Sequence, residues 1–96
     1  MLYSRIEGAA VAANATIMRV DAPTALPDEP FDLVLVDWAS RAPGWAPALR
    51  SRGDARTILF GPHTDLAAHA EAREAGLGPM WARSKLVASL DRLLGP

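Results

Sequence analysis

The stretch Phe31-Asp-Leu-Val-Leu-Val-Asp37-Trp38 is the most apolar run in the chain, and it closes on a carboxylate. Leu33-Val-Leu-Val36 shows no polar alternation, the pattern of a strand covered on both faces, as in a parallel sheet. Open α/β sheets collect their ligands in the crevice beyond the carboxyl ends of the strands, which is where Asp37 stands. A phosphate-accepting aspartate would occupy the same place.

Working outward, Ser4 and Glu7 form an S-x-x-E capping box ahead of a helix over 5–13, weakened at Gly8 by about 1 kcal/mol relative to Ala and ended at Asn14. Ala15-Thr-Ile-Met-Arg-Val20 is rich in β-branched residues and reads as a strand. Pro23, Pro27 and Pro30 then leave room for at most one turn around Thr24 to Leu26. After the strand at 31–37, Pro43-Gly44 punctuates a loop, and a short helix runs from Trp45 to Arg52 and stops at Gly53.

Arg56-Thr-Ile-Leu-Phe60 is the next strand, halted by Gly61-Pro62. A helix over 65–75 follows, with Thr64 as its cap and Gly76 past its end. A brief strand over 79–82 leads to a last helix capped by Ser84, with Leu86, Val87, Leu90, Leu93 and Leu94 on one stripe. Alternation of strands and helices from residue 31 onward calls for an α/β fold with a parallel sheet and right-handed crossovers.

Composition bounds the function. Half of the 96 residues are apolar and 22% are charged, enough to pack one domain over 1–96. A net charge of −1 argues against a general grip on nucleic acid or anionic membrane. The lack of Cys excludes disulfides and thiolate chemistry. No apolar stretch approaches the roughly 20 residues that span a bilayer, and the N-terminus does not read as a secretory signal, so the expected location is the cytoplasm.

Phe31 to Leu94 resembles the receiver domain of bacterial two-component response regulators. Asp32-Leu-Val-Leu-Val-Asp37 with Gly44-Trp45 and Leu49-Arg50 looks like the phosphoacceptor strand, its loop and the next helix. Thr57-Ile-Leu-Phe-Gly61 occupies the place of the strand that normally ends in Thr or Ser. Ala72-Arg-Glu-Ala-Gly76 and Met80-Trp-Ala-Arg83-Ser84 look like the Ala-Gly turn, the last strand and its terminal Lys-Pro pair. More narrowly, Phe60-Gly-Pro-His-Thr-Asp65 and Ala82-Arg-Ser84 are similar to degenerate receiver-like proteins that read Gly-Ser-His-x-Asp and Ala-Arg-Ser there. The resemblance implies a flavodoxin-like, three-layer α-β-α fold with a truncated parallel sheet of about four strands, because the family's first strand and its acidic pair have no counterpart. The natural start lying upstream of Met1 is the alternative explanation of that loss.

The resemblance also assigns roles. Asp37 is the phosphoacceptor equivalent, Gly61 replaces the switch hydroxyl, and Arg83 replaces the lysine that pairs with an acyl phosphate. Receiver chemistry holds Mg²⁺ in an oxygen-rich shell that needs further acids, and before residue 21 the only acid is Glu7. An ion pair between Asp37 and Arg83 is therefore preferred to phosphoacceptance.

Trp38, His63, Thr64 and Ser84 are expected at the rim of a pocket, with Trp38 partly exposed. Trp45 and Trp81 are expected in the core. His63 reads either as an anion contact beside a helix N-terminus or, preferably, as a loop residue next to a cap. His69 is expected to face solvent, and no metal site is convincing.

The expected function is a pseudo-receiver in signal transduction that works through protein–protein contact without catalysis and without a cofactor. The alternatives are a phosphorylatable receiver, which would require Mg²⁺, and a small anion-binding module using His63, Arg83 and helix amides. The strand at 15–20 lacks its family neighbour. It is expected either to pair with 31–37 or to reach into a second copy, giving a homodimer with exchanged N-terminal segments.

Overall fold

Two aliphatic runs form the spine of the computed structural model, which describes residues 2–52 and 55–94. Strand β1 (Leu33–Asp37) pairs in parallel with β2 (Arg56–Gly61), from Leu33 opposite Arg56 to Asp37 opposite Phe60. A short β3 (Trp81–Ala82) joins the other side of β2, with Gly61 opposite Ala82. The result is a three-stranded, all-parallel sheet in the order β1-β2-β3.

Among the described residues four α-helices accompany it: α1 (Leu2–Ala12), α2 (Trp45–Arg50), α3 (Leu66–Glu74) and α4 (Arg83–Leu94). Side chains alternate across a strand, so β1 feeds two cores. Val34 and Val36 join Leu59, Trp45 and Leu49 in one cluster, closed by Ala68 and Ala72 of α3. Leu33 and Leu35 pack instead against Ile58, Phe60, Leu86 and Leu90, with Ile6 and Ala9 of α1 beside them. Ala68 and Ala72 have no exposed surface, and their small side chains let α3 lie close to the sheet. Leu49, Leu59 and Leu86 are the largest fully buried side chains, each contributing roughly 1.5–3 kcal/mol by leaving water. The fold is mixed α/β, as the alternation predicts.

The expected fourth strand does not form. Ala15–Val20 carries no regular secondary structure. A β-branched composition suits a pleated surface, but a strand exists only where a neighbour completes its ladder. The chain turns out of α1 at Asn14, whose φ of 57° is left-handed, so the expected stop stands. The capping box does not: helix α1 already includes Ser4, leaving its hydroxyl exposed inside the helix.

Other ends shift by a residue or two. Asp65, not Thr64, caps α3, its carboxylate accepting a hydrogen bond from the Ala68 amide at 3.1 Å. Ser84 lies within the first turn of α4 rather than ahead of it. The expected stop at Gly53 lies outside the described residues. Among the described residues no helix is long and apolar enough to cross a membrane.

Arg52 organises the proline-rich connection between Ala22 and Phe31. Its guanidinium donates to the carbonyls of Leu26 (3.2 Å), Pro27 (2.7 Å) and Glu29 (3.1 Å), and stands 5.5 Å from the Phe31 ring centroid. Hydrogen bonds from a charged donor are stronger than neutral ones, and here one side chain ties down several backbone acceptors. Arg52→Ala is expected to cost about 1–2 kcal/mol, read as a lower urea midpoint at unchanged slope. An unchanged midpoint would remove Arg52 from this role.

Candidate functional site

The carboxyl ends of the three strands meet at one rim because the ladder registers them. Asp37 ends β1, Gly61 ends β2 and pairs with Ala82, and Arg83 follows as the first residue of α4. The Arg83 guanidinium lies 3.9 Å from Asp37 Oδ1, the contact expected from the sequence. Both side chains are about half exposed, 51% and 43%, so solvent screens the pair and its contribution to stability is small.

Asp37 Oδ2 accepts a hydrogen bond from Ser40 Oγ at 3.3 Å, whereas Oδ1 is shielded from solvent and has no hydrogen-bond partner among the described residues. Lys85, the sole lysine of the chain, sits over the Trp81 ring at 4.4 Å, leaving Arg83 as the cation facing Asp37.

Gly61 is set by its neighbour. A Cβ there would lie 3.0 Å from Met80 Sδ and 3.7 Å from the Ala39 methyl, tighter than ordinary contact on the Met80 side. Met80 is buried, so a side chain added at Gly61 would have to push its thioether aside by a few tenths of an ångström.

Trp38 corrects the expectation of partial exposure. The turn Trp38–Ser40 is a 3₁₀ turn that folds the indole back under α3, where it is 3% exposed and donates from Nε1 to the Ala68 carbonyl at 3.0 Å. Arg41 adds a second tie: it pairs with Glu71 on α3, donates to the Trp38 carbonyl at 3.2 Å and lies 5.9 Å from the Trp38 ring centroid. Trp45 is buried as expected, and Trp81 is half-buried against the α1/α4 side.

The remaining rim residues do not gather around Asp37. His63 and Thr64 are exposed in the loop after β2. The His63 carbonyl lies 3.2 Å from the half-buried His69 ring, which therefore does not simply face solvent. Ser84, with Arg83, Leu2 and Arg5, borders an open groove of about 450 Å³ between the starts of α1 and α4, a groove that does not include Asp37. Among the described residues no three His, Cys, Asp or Glu side chains come together as a metal site. Mg²⁺ demands a near-octahedral shell of oxygens, and Asp37 with the hydroxyl of Ser40 does not fit it.

Ser40, Arg41 and Met80 escaped the sequence reading. Ser40 had a local signal, an Asp followed three residues later by Ser. The other two act across 30 and 19 positions of chain, beyond the reach of any spacing rule.

Gly61→Ser is expected to cost about 1–2 kcal/mol by overpacking against Met80, and less in a Met80→Ala background. A double-mutant cycle in urea checks it; strict additivity would separate the two positions.

The Arg41 pair has a pH signature. Its hydrogen bond is the largest influence and, with its charge, holds the Glu71 carboxyl below the ordinary glutamate value, although desolvation, second in size, and Asp65 push the other way. A depressed carboxylate stabilises the fold above its unfolded value and loses that contribution as pH falls through the folded one. Wild type should thus exceed Glu71→Gln in urea midpoint at neutral pH, and the two should converge in acid. A difference constant with pH would contradict the pairing.

The chain matches no family model, no curated protein and no solved structure.

Proposed function

We propose that this chain is a receiver-like domain that signals through protein–protein contact and performs no catalysis itself. One observation carries the reading: Asp37 and Arg83 pair across the carboxyl ends of a parallel sheet, at 3.9 Å, beside a glycine that Met80 packs against. The rim keeps the charges of a phosphorylation site and lacks its hydroxyl. The order β1-β2-β3, with α1 against α4 on one face, is compatible with the flavodoxin-like arrangement that the resemblance implies. A cytoplasmic location suits this role, which is fold-level analogy joined to site geometry.

A second reading rests on Asp37 Oδ1, which has no hydrogen-bond partner among the described residues: Asp37 accepts a phosphoryl group with Mg²⁺ held partly by groups beyond this rim. Incubation with acetyl phosphate and Mg²⁺, followed by intact mass, separates the two. The first reading expects no added phosphoryl group. A gain that disappears in Asp37→Asn would establish the second and overturn the first.

A further inference from the structure

The sheet has an unfinished side. Among the described residues strand β1 is paired only with β2, and every second residue of a strand turns both its N–H and its C=O towards one neighbour. Among the described residues no backbone hydrogen bond reaches the outer edge of Leu33–Asp37. The bond from the Arg56 amide to the Asp32 carbonyl sets the alternation: Val34 and Val36 turn their backbone groups to β2, and half-buried Leu33, Leu35 and Asp37 turn theirs outward, where a further strand could pair with them. Edge strands are normally blunted by a proline, a bulge or an inward charge, and Leu33-Val-Leu-Val36 carries no charge and no proline.

The same chain holds a second unsatisfied stretch of matching length. In Ala15–Val20 the backbone bond from the Ala15 amide to the Ala10 carbonyl, at 2.8 Å, closes α1, and none of the described bonds involves 16–20. Thr16, Ile17 and Val20 are β-branched, and from Ala15 to Met18 half-buried and exposed residues alternate with the period of a strand. Within one copy the two stretches do not form a ladder. Arg19 rests 4.7 Å from the Tyr3 ring on α1, while Ala22 and Leu26 pack into the α2/α3 cluster under the grip of Arg52.

We propose that Ala15–Val20 of one copy adds as a strand to the β1 edge of a second copy, and receives the same in return. Reciprocal exchange pairs the β1 edge of each copy and closes with two-fold symmetry. Charge favours the match: Arg19 is the only charged residue of the added stretch, and Asp32 and Asp37 flank the edge it would meet.

Light scattering after size exclusion, over a dilution series of the full chain, is the first measurement. The expected mass is twice 10.2 kDa at high concentration, falling towards 10.2 kDa on dilution. Ile17→Pro removes a donor from the added strand while touching nothing paired in the single copy. It should remain at 10.2 kDa, with the circular dichroism of dilute wild type. Hydrogen exchange on wild type needs no variant: the outward amides of 33, 35 and 37 and those in 16–20 should gain protection together as concentration rises. A single-copy mass throughout, an Ile17→Pro variant that dimerises as tightly as wild type, or a doubled mass without protection of both stretches would each overturn the proposal.

Discussion

The parallel ladder between β1 and β2 is the constraint on which everything else rests. Five registered pairs bind two short aliphatic runs into one surface, and the side-chain alternation of that surface creates both cores at once. Because the strands run the same way, their carboxyl ends coincide, and Asp37 arrives beside Phe60 and Gly61 without further instruction. The addition of Trp81–Ala82 at the end of β2 then brings Arg83 to the same place. The candidate site is thus a by-product of strand register rather than of any dedicated loop.

What fixes the rim once it is assembled is the burial of Trp38. The chain leaves β1 through a tight turn, and the indole, held to the Ala68 carbonyl, locks that turn onto α3. Arg41 and Glu71 repeat the tie on the outside, where water reaches it and its strength follows pH. A few residues away, the buried Met80 thioether occupies the space beside Gly61. The rim is thus bounded on the Gly61 side by a packed thioether.

The parallel sheet was legible because it depends on local pattern: an unbroken aliphatic run, a stop at Gly-Pro, an amphipathic last helix; Gly61 and Arg83 were singled out by the resemblance to receiver domains. Ala15–Val20 shows the limit of such reasoning, since its β-branched residues express a preference that only a neighbouring strand can fulfil. Trp38 shows another. Adjacent to a charged strand end it looked exposed, and only the carbonyl of Ala68, 30 residues away, explains why it turns inward. Ser4 and Ser84 carried good capping chemistry but fell inside helices that already include Leu2 and Arg83 ahead of them. Met80 left no trace in sequence as the reason for Gly61, since the contact is purely steric.

The central claim is that three strand ends deliver Asp37, Gly61 and Arg83 to one rim. Nitrogen-edited NMR comparing wild type with Asp37→Asn tests it most directly, by observing the backbone amides of all three strand ends together with the Arg83 side chain. The account predicts shifts at Phe60, Gly61, Ala82 and the Arg83 guanidinium as well as at the neighbours of residue 37. Shifts confined to 36–40, with Gly61 and Arg83 unmoved, would contradict it.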